Sequence, residues 1–167
     1  MAGFGWPPRR AARCEAIPDT QAQHESRIMS FLPEEDQEFL DGNGLQYELL
    51  TEKTPEGTER RGVLLPGFAF VGDLRTQGNG ALVACASCDL LVLVPDGYAT
   101  TKLDSFYTIL RLKRPDGSDP QNANGEPALF AKTWQVWSRH LDDSDWRVGV
   151  DGLRTYLSYI RGELRRA

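Results

Sequence analysis

Ala81-Leu82-Val83-Ala84-Cys85-Ala86-Ser87-Cys88-Asp89-Leu90-Leu91-Val92-Leu93-Val94 is the most apolar stretch of the chain, and Pro95-Asp96-Gly97 closes it with turn-forming residues. A run this apolar predicts a central strand, covered on at least one face. Toward the N-terminus, residues 71–80 read as a Gly-containing polar loop. Beyond it, residues 62–70 and 45–51 are apolar-rich runs separated by Lys53-Thr54-Pro55-Glu56-Gly57. That Pro-x-Gly signal predicts a hairpin and two antiparallel strands. Toward the C-terminus, residues 106–112 alternate bulky and polar side chains, which predicts a fourth strand.

A helix is expected at each end of this meander. Pro33 followed by Glu34, Glu35 and Asp36 marks a helix start, because proline is tolerated in the first turn and acids there oppose the positive end of the dipole. Phe39 and Leu40 supply its apolar side, and Asp41-Gly42-Asn43-Gly44 ends it. At the other end Val150, Leu153, Leu157, Ile160 and Leu164 recur at three- and four-residue steps along one face. Asp151 lies near the start of that helix and Arg161, Arg165 and Arg166 near its end, as the dipole prefers. Between meander and helix, residues 113–127 hold four turn-forming clusters and almost nothing to bury. Loops of that length inside a compact domain are uncommon and often functional. The expected fold class is α+β: an N-terminal helix, a four-stranded antiparallel meander, a long irregular crossover and a C-terminal helix.

Composition narrows the function. With 167 residues, 40% of them apolar and 26% charged, the chain is about one domain long and builds a core without staples. A net charge of −5 leaves no basic field for a phosphate backbone, which speaks against nucleic acid as a partner. No apolar run approaches the roughly 20 residues that span a bilayer, so no membrane partner is expected. Three cysteines, an odd number, fit a reducing cytoplasm. Residues 1–30 differ from the rest, with Pro7, Pro8, Pro18, Arg9, Arg10, Arg13 and Arg27 and almost no apolar spacing. They read as a mobile tail without a secretory or organellar signal, ahead of a domain at 31–167. Met29 stands just before the first structured segment, so a start codon assigned too early explains the tail as well as a function does.

Cys85 and Cys88 form a lone C-x-x-C. A zinc site needs four ligands and only Cys14, His24 and His140 remain, each far away, while a redox dithiol wants a helix opening at the motif. The plainer reading is two small apolar fillers of a core strand. The most unusual segment is Trp134-Gln135-Val136-Trp137-Ser138-Arg139-His140 with Trp146 downstream, which holds three of the four tryptophans. Such clustering either plugs the gap between helix and sheet or walls a site. His140 is the only histidine outside the tail. Ser138 two residues earlier, with Asp142, Asp143 or Asp145, can complete a hydroxyl, base and orienter set. The alternatives are a histidine that caps a loop and a solvated acidic turn, and no metal site or cofactor is expected.

Four motifs in order resemble a known family. Pro95-Asp96-Gly97-Tyr98, followed by Asp104-Ser105-Phe106-Tyr107, is similar to the Pro-x-x-Tyr-Pro element after the third strand of ubiquitin-conjugating enzymes. The opening Leu32-Pro33-x-x-Asp36, the segment from Trp134 to His140 with Trp146, and Gly149-Val150-Asp151-Gly152-Leu153 resemble the bacterial branch, the prokaryotic ubiquitin-conjugating-like family E. The likeness covers about residues 31–166 and implies the ubiquitin-conjugating fold, with Pro95, Tyr98, Trp134, Trp137 and Trp146 as its structural motif. It also implies a cytoplasmic role beside an adenylating activating enzyme and a ubiquitin-like protein, in bacterial modification operons of which some serve antiphage defence.

Departures from the family pattern shape the chemistry. Conjugating enzymes hold the ubiquitin carboxyl terminus as a thioester on a cysteine past the fourth strand, beside a His-Pro-Asn motif. Here residues 89–167 contain no cysteine, no His-Pro precedes Asn122 or Asn124, and Ala99 replaces the proline after Tyr98. Ser138 with His140 as base is then the candidate carrier, forming an oxyester as a transferase of unusual type, with Asn122 and Asn124 as candidate loop or oxyanion support. A catalytically inactive module that docks the ubiquitin-like protein or its activating enzyme is the competing expectation, and a Ser-His hydrolase a third.

Overall fold

Strands β1 (Glu48–Lys53), β2 (Glu59–Ala69), β5 (Ser87–Val94), β6 (Phe106–Ile109) and β10 (Gln135–Trp137) form one antiparallel sheet in the order β1-β2-β5-β6-β10. They come from a computed structural model that describes residues 30–98 and 100–167. The expected four-strand meander is thus present in order and gains β10 as a fifth member. The tail expected at 1–30 and the Ala99 departure fall almost wholly outside the described residues; residues Leu32–Ala167 form one compact unit.

The central pair, β2 and β5, is buried on both faces. Leu64 and Leu91 are register partners and join a cluster with Leu129 and Trp134, packed by Leu50, Leu93, Tyr107, Ile109 and Phe130. Leu129 and Phe130 belong to a small hairpin, β8 (Ala128–Leu129) and β9 (Lys132–Thr133), which folds over this face. Val63, Leu65, Leu90 and Val92 point the other way and are equally buried. That second face is covered by helix α2 (Leu153–Arg166): Phe68, partner of Cys88 and so on the face of Leu90, lies under the Arg161 guanidinium at 4.7 Å. Leu153, Tyr156, Leu157, Ile160 and Leu164 of α2 are fully buried. Pro66 sits where the β2–β5 register slips, because it cannot donate to the ladder, and the neighbouring Gly67 N–H is taken by the Asp89 carboxylate at 3.0 Å.

Four expectations need correction. Residues 71–80 are not simply a loop, and residues 81–94 are not one strand. Arg75–Gly78 (β3) and Ala81–Ala84 (β4) pair as a hairpin around Asn79-Gly80, both at positive φ, as a tight two-residue turn requires. β3 also pairs with Leu112–Lys113 (β7), so the expected fourth strand is divided between two sheets. Val150 is 68% exposed and lies outside α2, because the backbone N–H groups of Val150 and Asp151 close a turn on the Arg147 carbonyl before the helix begins.

The helices meet at one carboxylate. Asp36, on α1 (Glu34–Gly42), is buried; it accepts the Tyr98 hydroxyl at 2.6 Å and the Leu153 N–H at 2.8 Å. It therefore caps the first turn of α2 from another element, a place where negative charge is favoured. The neighbouring Gly152 leaves the room: a Cβ there would lie 2.6 Å from Asp36 Oδ1. Asp151 closes the loop before α2, accepting the Arg147 guanidinium, the Arg147 N–H and the Thr155 hydroxyl. Those hydrogen bonds, the Arg147 side chain first among them, hold its carboxyl well below the usual range.

Asp36→Ala leaves the Leu153 N–H and the Tyr98 hydroxyl without their acceptor and is expected to cost about 1–3 kcal/mol in urea unfolding. Asp151 contributes stability that is complete above the ordinary carboxylate pKa of about 4 and drains away as pH falls below it. The urea midpoint of Asp151→Asn should therefore fall less steeply than wild type between about pH 5 and pH 2.

Candidate functional site

β10 has a neighbour on its outer edge. Trp134 N–H donates to Pro127 O at 3.0 Å, Val136 N–H to Gly125 O at 3.0 Å and Ser138 N–H to Asn122 O at 2.9 Å. The last part of the expected irregular crossover thus runs antiparallel along the sheet as a rough sixth track. Gly125 permits the approach, since a Cβ there would meet Val136 Cγ1 at 2.5 Å. Gln135, 3% exposed, fixes the track from behind: its amide donates to Ala123 O and Leu112 O and accepts from Leu112 N–H and Thr108 Oγ1. Arg111 bridges Asp119 and Glu126 across the same segment.

Trp134, Trp137 and Trp146 are buried, so the tryptophan cluster is a packed wall and not a groove lining. Trp137 stacks on Phe106 with centroids 5.3 Å apart, and its indole N–H reaches Thr108 Oγ1 at 3.1 Å. Trp134 Nε1 donates to Leu129 O at 2.9 Å, which locks the β8–β9 hairpin. Pro95 and Tyr98 form a turn through Tyr98 N–H and Pro95 O, and the Tyr98 ring then reaches Asp36.

Past Trp137 the chain bends, with Arg139 N–H on Trp137 O at 2.9 Å, and this bend turns His140 back toward Ser138. Ser138 Oγ lies 3.1 Å from His140 Nε2, and His140 Nδ1 lies 2.6 Å from Asp104 Oδ1. Asp104 stands just ahead of β6, after fully buried Leu103 and before Ser105 at positive φ. The backbone here is tied to α2: the Tyr159 hydroxyl donates to His140 O at 3.4 Å, and Arg139 pairs with Glu163 at 3.1 Å. The His140 and Asp104 side chains are 62% and 44% exposed, so this relay faces solvent.

The acid that meets His140 is Asp104, and not Asp142, Asp143 or Asp145, the nearby acids that the spacing offered as candidates. Asp143 is drawn away by Lys102, whose ammonium donates to it at 2.6 Å and to Leu141 O at 2.7 Å. That same lysine ties the segment after His140 to the segment carrying Asp104. Asp142 and Asp145 are exposed, and no cluster able to hold a metal occurs among the described residues. Asn122 gives its carbonyl to Ser138, while Asn124 is exposed on the same track. Asp104 lies 36 positions before His140, and only its place at the mouth of a strand paired with β10 hints at the contact.

Chemically the relay is directional. A carboxylate facing Nδ1 fixes the proton there and leaves the Nε2 lone pair for the Ser138 hydroxyl, the arrangement of a general base beside a nucleophile. A cavity of about 450 Å³ opens beside Asp104, lined among others by Thr58, Arg61, Pro95, Thr101 and Lys102. Among the described residues the thiols offer no rival. Cys85 and Cys88 are buried, and burial pushes the Cys88 thiol up to about 12. Cys88 also sits where β5 begins, opposite the end of β6, whereas Ser138 adjoins the start of β6.

An α+β chain with antiparallel strands between two helices is consistent with a ubiquitin-conjugating-like fold. Residues 32–167 match the family described as Prokaryotic E2 family E, and the chain belongs to that family. Membership implies ubiquitin-like proteins and activating enzymes as partners. No curated protein and no solved structure matches the chain. Among the described residues no helix is long and apolar enough to cross a membrane.

Asp104→Asn replaces the acceptor at Nδ1 with an amide that can donate. The imidazole nitrogen shifts of His140, read by nitrogen-15 NMR, should report a proton on Nδ1 in the wild type and a mixture or reversal of tautomers in the variant, without loss of the fold.

Proposed function

We propose that this protein is a noncanonical conjugating enzyme of a bacterial ubiquitin-like modification system, cytoplasmic and of the kind found beside antiphage defence genes, in which Ser138 replaces the missing cysteine. The observation that carries the reading is the Ser138–His140–Asp104 relay, whose histidine and acid are open to solvent and whose acid borders a cavity. In the charging step Ser138 Oγ attacks the activated carboxyl carbon of the ubiquitin-like protein, held as a thioester or adenylate on the activating enzyme. His140 Nε2 takes the hydroxyl proton, the C–S or C–O bond to the leaving group breaks, and His140 returns the proton to that group. The product is an oxyester on Ser138, which an acceptor amine then attacks in the transferase step. Asn122, whose carbonyl accepts the Ser138 N–H, and Asn124, two residues further along the same track, are the proposed loop or oxyanion support.

The reading explains why a serine needs what a cysteine does not. A few per cent of a thiol is ionised at neutral pH, while a hydroxyl requires a base within hydrogen-bond reach, here at 3.1 Å. Incubation with activating enzyme, ubiquitin-like protein and ATP should give an adduct that hydroxylamine or base removes and thiol reductant does not. Ser138→Ala should abolish it, Ser138→Cys should make it thiol-sensitive, and His140→Ala should slow its formation by about 10²–10⁴-fold. An adduct that survives Ser138→Ala, or no adduct at all, overturns the carrier reading and leaves the inactive docking module.

A further inference from the structure

We infer that the flank of α2 turned away from the relay is a docking surface for an acidic, extended segment of a partner protein, which lays its carboxylates on Arg161 and Arg165 and an apolar side chain on Val71. Tyr159 and Glu163 leave α2 toward His140 and Arg139, whereas Ser158, Arg161, Gly162 and Arg165 leave it on another side. There they line a hollow of about 460 Å³ whose opposite wall is Ala69, Phe70 and Val71, at and beyond the end of β2. A second hollow of about 450 Å³ shares Val71 and Arg165 and extends the surface past Gly72 and Asp73 toward Pro115. The two together make an elongated trough.

Three features set this trough apart. Val71 is 76% exposed, the most exposed of the large apolar side chains in the described residues. Among those residues Arg161 and Arg165 make no ion pair, whereas Arg139 on the relay side and Arg166, which lines the second hollow, both engage Glu163. Arg161 is also held in place, its guanidinium stacked over Phe68 at 4.7 Å, so little side-chain freedom is left to lose on binding. In a chain of net charge −5, two unpaired guanidiniums flanking a bare valine form a local reversal of sign.

The spacing favours a peptide. Four residues along a helix rise about 6 Å, and alternate side chains of an extended chain repeat at about 6.6 Å. An acid-x-acid segment therefore matches Arg161 and Arg165 in register, and its neighbouring apolar residue meets Val71. A small anion uses the arginines but gains nothing from the valine or from the length of the trough.

The test titrates the full nitrogen-15-labelled chain with a short synthetic peptide of glutamates around one leucine, read by amide shifts. Shifts confined to residues 69–73 and 158–166 are expected, and Arg161→Gln with Arg165→Gln should weaken binding about tenfold or more, while Arg161→Lys with Arg165→Lys, which keeps the charge and loses only the stack on Phe68, should weaken it less than about threefold. Val71→Ser and the peptide with serine for leucine should each weaken it about threefold or more. A thermal melt of each variant separates lost binding from lost fold. No shifts at millimolar peptide, shifts centred on Arg60 and Arg61, or the same shifts with inorganic phosphate at equal ionic strength would overturn the proposal. Ser138→Ala should bind the peptide unchanged, so this surface and the acyl-carrier reading stand or fall separately.

Discussion

The Asp36 carboxylate is the interaction on which the rest of the architecture hangs. Two of its hydrogen bonds reach elements 62 and 117 positions away, the Tyr98 hydroxyl in the turn after β5 and the Leu153 N–H at the head of α2. A buried carboxylate is costly unless its lone pairs are filled, and here the donors are a phenol and a helix N-terminus, both suited to negative charge. The arrangement fixes where α2 begins, and hence which of its residues face the sheet and which face the relay. Gly152 is part of the same constraint, because any side chain at that position collides with Asp36.

A second constraint operates at the opposite side of the sheet. The crossover carries few apolar residues, so it is not held by burial of its own side chains. It is held by backbone pairing to β10, by the buried Gln135 amide and by the charged bridge from Arg111 to Asp119 and Glu126. A fully bonded buried amide specifies one arrangement, since any shift leaves polar groups stranded. Ser138 inherits its place from this network, with its N–H on Asn122 and its hydroxyl free to meet His140.

How much of this was legible in the sequence follows from the range of each interaction. The two helices and the order of the main strands were readable because periodicity and turn residues act locally; Leu153, Leu157, Ile160 and Leu164 are all on the buried face of α2 as their spacing predicts. Val150 fits the same spacing and is exposed, because a turn on Arg147 intervenes before the helix. The Asn79-Gly80 hairpin was readable too, from a dipeptide that favours positive φ at both positions, but the apolar run beyond it drew residues 81–94 into one strand. Within the site, Ser138 and His140 were visible as neighbours in sequence. Asp104 was not, because the contact depends on β6 pairing with β10, and local spacing pointed instead to acids that the fold engages elsewhere or leaves in solvent.

Occupation of the outer side of β10 by residues 122–127 also governs what the molecule can join. An unpaired strand invites another chain to add to it, and proteins protect such borders with irregular cover or charge. One border of this sheet is sealed by a glycine-containing segment too uneven to template a neighbour. The other is β1, where Glu48 and Lys53 project into water and Glu52 is tied to Arg60. Self-assembly through strand addition is thereby discouraged at both ends, by shape at one and by electrostatics at the other.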